Sequence, residues 1–192
     1  MSLVVRACGD GSLPEVKTIA CAAHVDARGY LSETYKRSTW RDQGLEFDIR
    51  QQIQSRSVKT GTVRGLHFQL PPFAQAKVVR VVRGAVFDVA LDVRTGSPSF
   101  GRWVSAVLKE DGLDQLLVPR GFAHGFCTLE PDTIVLYACD NEYAPDHERG
   151  VRWDDPAVAI DWPLTAMPAI VSQKDAGLPL LADLAPCFAD EG

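Results

Sequence analysis

The chain has 192 residues, is 46% hydrophobic and carries a net charge of −5: long enough for one domain with a sizeable core, ordinary in composition, and acidic with its Lys and Arg dispersed, which excludes a nucleic-acid coat. No apolar run approaches the ~20 residues of a membrane helix, and the first residues lack the basic-then-apolar layout of a signal peptide, so a cytoplasmic protein is expected. Five cysteines, Cys8, Cys21, Cys127, Cys139 and Cys187, form an odd set without C-x-x-C spacing and predict buried free thiols, not a disulfide framework or a zinc knot.

Residues 1–25 mix short apolar stretches with Gly and Pro and predict irregular structure followed by a strand over Val16–Ala23. Asp26-Ala27-Arg28-Gly29 is a turn by its Asp and Gly, and Tyr30–Tyr35 alternates with the period of a strand. Thr39–Gly44 predicts a short helix with Thr39 as N-cap and Gly44 as its end. Short β-rich runs then recur between turn residues: Ile49–Val58, Thr62–Gln69, Lys77–Val82, Ala85–Val93, Arg102–Leu108, Gln115–Val118, Gly125–Leu129 and Thr133–Cys139. In Ala85–Val93, Phe87, Val89, Leu91 and Val93 share one face and Asp88 and Asp92 the other, with a tight hairpin expected at Arg83-Gly84. Regular short strands without an alternating βα pattern predict an all-β antiparallel sandwich or barrel with short peripheral helices. One domain over 1–192 is expected, with an N-terminal strand region at 1–30 and a proline-rich tail over 154–192 that wraps the barrel.

Chemistry concentrates around Gly61–Gln69. Gly61, five residues, His67-Phe68-Gln69, a gap, then Lys77, six residues and Gly84 resembles the first motif of the cupins, small jelly-roll barrels; Pro119-Arg120-Gly121-Phe122-Ala123-His124 resembles the second. Metal-binding cupins hold one ion with two His, a Glu and a further His. Here Gln69 replaces one His and Lys77 replaces the Glu; an ammonium repels a divalent ion and an amide is a poor transition-metal ligand. The expectation is no metal and no cofactor, with His67, Lys77 and His124 left for binding and proton transfer. A metal cupin remains a contrary reading that bound iron, zinc or manganese would support.

Further blocks narrow the resemblance. Asp26–Gly29 with Glu33, Val63–Gln69, Ala76–Val81, Gly121–Phe126, Trp153–Pro156, Ile160–Pro163 and Ser172–Asp175, in this order, resemble the dTDP-4-dehydrorhamnose 3,5-epimerase family over residues 24–180. The resemblance implies a cofactor-free isomerase that inverts carbons 3 and 5 of dTDP-4-keto-6-deoxy-D-glucose on the route to dTDP-L-rhamnose. It implies His67 as base, Asp175 as its carboxylate, Lys77 facing the developing oxyanion, and Tyr137 as proton donor. It places Arg28 and Arg64 at the diphosphate, Tyr143 under the thymine, and Glu33, Gln52, Gln54, His124, Glu148 and Lys174 at further contacts. Asp154, Asp155 and Asp161 are alternatives to Asp175. Where the family reads Gln-Asp-Asn, Gln52-Ile53-Gln54 departs, which leaves open an epimerase of one centre acting on a related nucleotide sugar. A non-catalytic nucleotide-sugar-binding cupin is the reading from another class; it has no need of the acid–base pair. The resemblance also implies a homodimer in which the N-terminal strand crosses over, so that Arg28 and Glu33 complete the neighbour's site.

Overall fold

The computed structural model describes residues 3–164 and 168–188; of the tail expected over 154–192, residues 165–167 and 189–192 lie outside them. A six-stranded antiparallel sheet runs in the order β1 (Leu3–Ala7), β2 (Lys17–Cys21), β10 (Asp114–Val118), β7 (Lys77–Arg83), β12 (Thr133–Cys139) and β5 (Gln51–Ser57). A five-stranded antiparallel sheet runs β13 (Glu148–Gly150), β6 (Val63–Gln69), β11 (Phe122–Thr128), β8 (Ala85–Asp92) and β9 (Trp103–Lys109). β3 (Ala23–Asp26) and β4 (Gly29–Ser32) form a separate hairpin. This is the cupin-type β-sandwich that the paired motifs imply.

Three apolar clusters hold the layers together. Val79, Val81, Leu116, Val118 and Val135 from one sheet meet Val86, Ala90, Val104, Leu108, Phe122 and Phe126 from the other. On the outer face of the five-stranded sheet, Val63, Leu66, Phe68, Val89, Leu91 and Val93 are covered by Val158, Trp162 and Leu181. The helix α1 (Arg37–Asp42) covers the outer face of the six-stranded sheet, with Trp40, Leu45 and Phe47 on Ile19, Cys21 and Val78. All five cysteines are buried and free, as the odd unpaired set predicts.

The alternation in β8 is present, and both of its faces are buried: the apolar side faces the chain after residue 150, and Asp88 and Asp92 point between the sheets at 0% exposure. Asp92 is saturated by Arg94, Ser97 and Ser99. Several boundaries differ from expectation. Arg83-Gly84 is no hairpin: β7 and β8 belong to opposite sheets, and the turn carries the chain between them. Gly84 has φ +78°, and a Cβ there meets Thr133 Oγ1 at 2.5 Å, so this crossover requires glycine. The helix starts at Arg37 after an extended Lys36 that gives no side-chain cap, so Thr39 lies inside it; burial of Trp40, not capping, anchors it. The stretch read as irregular contains β1, the expected Val16–Ala23 strand divides into β2 and β3 at Ala22, and the strand at Tyr30–Tyr35 shortens to β4. Beyond β12, where only sheet and tail were expected, lies the one-turn helix α2 (Gln173–Ala176), capped by Ser172, whose side chain accepts from the Asp175 amide. A single turn is too short to show a helical period.

Candidate active site

The interior of the sandwich opens into a cavity of about 590 Å³. Its two walls are the inward faces of opposite sheets, with β6 and β11 on one side and β5, β7 and β12 on the other.

On the first wall, antiparallel pairing puts His67 of β6 directly opposite His124 of β11. The strands come this close because Gly65 has no side chain: a Cβ there lies 2.6 Å from the His124 carbonyl oxygen. His67 Nε2 is 2.9 Å from Asp175 Oδ1, and Asp175 Oδ2 accepts the Gly65 amide at 3.1 Å. The carboxylate is thus fixed at both oxygens by the strand carrying the histidine. Burial pushes the Asp175 carboxyl up, but the His67 hydrogen bond and charge, with Gly65 and Ser172, outweigh it and hold the group below its ordinary value. The other candidate acids are accounted for: Asp155 accepts the Ala157 and Leu181 amides, Asp154 pairs with Arg152, and Asp161 is exposed. His124 Nε2 is 2.7 Å from Asp88 Oδ1, both groups buried.

Across the cavity, Tyr137 of β12 lies edge-on to His124, ring centroids 6.0 Å apart, and beside Phe126 at 6.3 Å. Its hydroxyl lies 3.2 Å from Ser55 Oγ of β5. Burial raises the phenol well above its ordinary pKa, so it stays protonated through the physiological range. Lys77, at the start of β7, spans the two walls by donating from Nζ to the His67 carbonyl oxygen at 3.2 Å. Burial lowers its pKa, and nearby Cys139, Glu148 and Asp88 only partly offset that.

At the mouth, Glu148 Oε2 accepts from Lys174 Nζ at 2.6 Å and from the Tyr143 hydroxyl at 2.7 Å. Burial works to raise the Glu148 carboxyl, but these two hydrogen bonds and the neighbouring His67 and Lys174 lower it on balance. Arg64 also lines the cavity, steadied by Ser57 Oγ at 3.2 Å. Gln69, at the position of a metal-ligating His in other cupins, does not offer a free donor set. Its amide donates to the Phe73 and Glu142 carbonyls and accepts the Ala144 amide, tying down the loop before β13. Among the described residues no three His, Cys, Asp or Glu side chains are grouped to hold a metal ion.

Of the sequence-selected residues, His67, Tyr137, Asp175, Lys77, Arg64, His124, Tyr143, Glu148 and Lys174 line this one cavity. Gln52 and Gln54 do not. They point from β5 to the outer face, where Gln52 borders a separate small cavity beside Trp40, and the pocket side of β5 carries Ile53 and Ser55 instead. Gln51, on that same side, accepts the Tyr143 amide at 2.8 Å and is 3.5 Å from the Gln75 amide. A one-residue shift exchanges the faces of a strand, and the selection was out of phase by one. Counting in twos from Ser55 would have found the correct face. Arg28 and Glu33 are likewise not among the lining residues; Arg28 sits 89% exposed at the tip of the β3–β4 hairpin, paired with Asp26. Asp88 and Ser55, each bonded to a lining side chain, escaped sequence reasoning because only tertiary pairing reveals them.

The family model described as dTDP-4-dehydrorhamnose 3,5-epimerase matches residues 10–183. The dTDP-4-dehydrorhamnose 3,5-epimerase of Sinorhizobium fredii is 48% identical over 177 residues, 92% of this chain and 90% of that protein. Among solved structures, the Bacillus anthracis enzyme of that name, with TDP and pyrophosphate bound, superposes with a TM-score of 0.87 at 42% identity, covering 93% of this chain and 99% of its own. The Legionella pneumophila dTDP-6-deoxy-D-glucose-3,5-epimerase in complex with dTDP-4-keto-L-rhamnose gives 0.89 at 36% identity, covering 96% and 95%. With the match running through both sheets and the whole cavity, the chain belongs to the dTDP-4-dehydrorhamnose 3,5-epimerase family.

Proposed function

We propose that this protein epimerises dTDP-4-keto-6-deoxy-D-glucose at carbons 3 and 5 to dTDP-4-keto-L-rhamnose. The observation that carries the reading is the placement of His67, backed by Asp175, and protonated Tyr137 on opposite walls of one cavity. Hydrogens on either side of the C4 ketone are weakly acidic. Inversion requires a base on one face of the sugar, a charge at the enolate oxygen, and an acid on the other face. His67, with a hydrogen on Nε2 directed to Asp175, keeps the Nδ1 lone pair as base, and the carboxylate stabilises the imidazolium that forms. Lys77 supplies positive charge to the enolate oxygen in a poorly solvated site, and Tyr137 donates from the far wall. The substrate is supported by the bound dTDP-sugar of the Legionella relative. Arg64 suits the diphosphate, Tyr143 offers an aromatic face at the mouth for the base, and His124, Glu148 and Lys174 supply polar contacts.

The same proposal includes a homodimer. Every residue of β3 is exposed, and Val25, Tyr30 and Leu31 are 79%, 60% and 68% exposed, an apolar hairpin that pairs with no other strand among the described residues. Covered by a second copy, this hairpin would bring Arg28 and Glu33 to the neighbour's cavity, and Gln51 takes over the amide role first given to Gln52 and Gln54. A cytoplasmic location is supported by the five unpaired buried thiols. No described helix is long and apolar enough to cross a membrane.

Incubation with dTDP-4-keto-6-deoxy-D-glucose in heavy water, followed by NMR, tests the reading. Deuterium at both carbons with formation of the L-rhamno product is expected. Inversion at one centre only would replace the double reaction with a single one, and absence of both exchange and inversion would leave a binding protein.

A further inference from the structure

The acid in this site has a companion on the adjacent strand. Tyr137 pairs in register with Ile53, and Ser55 lies two residues along β5 on the same inward face, so the phenol leans diagonally onto the serine. The 3.2 Å contact between Tyr137 Oη and Ser55 Oγ is the phenol's only hydrogen bond among the described residues. The remaining neighbours offer little. Phe126 is apolar, His124 presents its ring and has Nε2 committed to Asp88, and Arg64 directs Nε to Ser57 and Nη2 to the Arg56 carbonyl.

When Tyr137 acts as acid, its O–H bond breaks, a C–H bond forms at the enolate carbon, and the O–H electron pair stays on oxygen as a phenolate. The burial that keeps the phenol protonated is also what makes this anion unfavourable. A hydrogen bond to an ionised acceptor is roughly twice as strong as one between neutral groups, so a hydroxyl already in contact gains strength as the proton leaves. The increment falls in the transition state of proton delivery and not in the resting enzyme, which is the condition for accelerating that step.

We propose that Ser55 is the positioning residue of the acid: its hydroxyl orients Tyr137 and stabilises the phenolate formed as the proton is delivered, so that Ser55 sets how often an enolate is inverted rather than returned to substrate. The inference rests on Tyr137 being the donor. It concerns the donor step alone, since Ser55 makes no hydrogen bond to His67, Asp175 or Lys77.

The partition between exchange and inversion tests it. In heavy water, His67 can return deuterium to the face it deprotonated, so recovered substrate reports enolate formation and product reports delivery by Tyr137. For Ser55→Ala, inversion should fall about tenfold with exchange into recovered substrate unchanged, raising the exchange-to-inversion ratio about tenfold. Ser55→Thr, which keeps the hydroxyl, should restore the ratio to within about threefold. An unchanged ratio in Ser55→Ala overturns the proposal, as does an equal loss of exchange and inversion in both variants, which marks a packing role. Tyr137→Phe is the separating control: normal inversion in that variant refutes Tyr137 as donor, whereas impaired inversion there with a wild-type ratio in Ser55→Ala refutes the role of Ser55 alone.

Discussion

The two walls of the cavity prepare their reactive groups in opposite ways. On the five-stranded sheet both histidines are backed by a carboxylate, His67 by Asp175 and His124 by Asp88. On the six-stranded sheet Tyr137 has a neutral hydroxyl and aromatic edges around it, and burial, with a smaller push from the Asp88 charge and Cys139, raises its pKa. A base that must hold a proton transiently benefits from a nearby negative charge. An acid that must keep its proton until the enolate forms benefits from a dry site without a cation in contact. The same sandwich offers both environments, because one wall is backed by the α2 turn and the other by its own paired strand.

Removing the proposed base should have the largest effect. His67→Ala is expected to lower both exchange and inversion by roughly 10³–10⁴-fold, at the upper end of general acid–base contributions, as followed by deuterium incorporation. Tyr137→Phe should lower inversion by roughly 10²–10³-fold while leaving more of the exchange intact; equal losses would erase the distinction between the walls. Lys77→Met removes the charge that spans them, and a loss of about 10²-fold in kcat with a smaller change in KM is expected if it acts on the enolate oxygen.

Asp175→Asn sharpens the comparison through pH. The Asp175 pKa is depressed in the folded protein, so its stabilisation is complete above the ordinary carboxylate value of 3.8 and is lost as pH falls through the folded value. The Tm gap between the wild type and Asp175→Asn should be constant from neutral pH to about pH 4 and shrink below it. A gap that already closed above pH 5 would rule out the Asp175 carboxyl as its source. The smallest effect separates the faces of β5. Gln51→Ala should raise KM several-fold, about 1 kcal/mol of lost hydrogen bonding, whereas Gln52→Ala should leave KM within about twofold. The reverse order would put the substrate contact back on the outer face.

Much of the sandwich was legible because short strands with period-two burial and turn residues leave few other packings for an all-β chain. Thr133–Cys139 matches β12 residue for residue, and the site strands β6 and β7 begin within one residue of expectation or at the expected residue. The errors fall where local signal is thin. One-turn α2 has no period to read, β1 is an edge strand of five residues with alternating partial burial, and a strand phase counted from the wrong residue sent Gln52 and Gln54 to the wrong face.

The residue types at 67, 77, 124, 137 and 175 were set in the chain itself, and with them the chemistry on offer: two imidazoles, an ammonium, a phenol and a carboxylate, with Gln69 and Lys77 where metal ligands stand in other cupins. Tertiary structure alone decided which groups meet. It chose Asp175 over Asp154, Asp155 and Asp161, because only the α2 turn docks on Gly65 and reaches His67. It also joined Asp88 to His124 and Ser55 to Tyr137. These contacts link residues 36 to 110 positions apart, and no local pattern encodes them, since they depend on sheet register and on close approach at a few glycines.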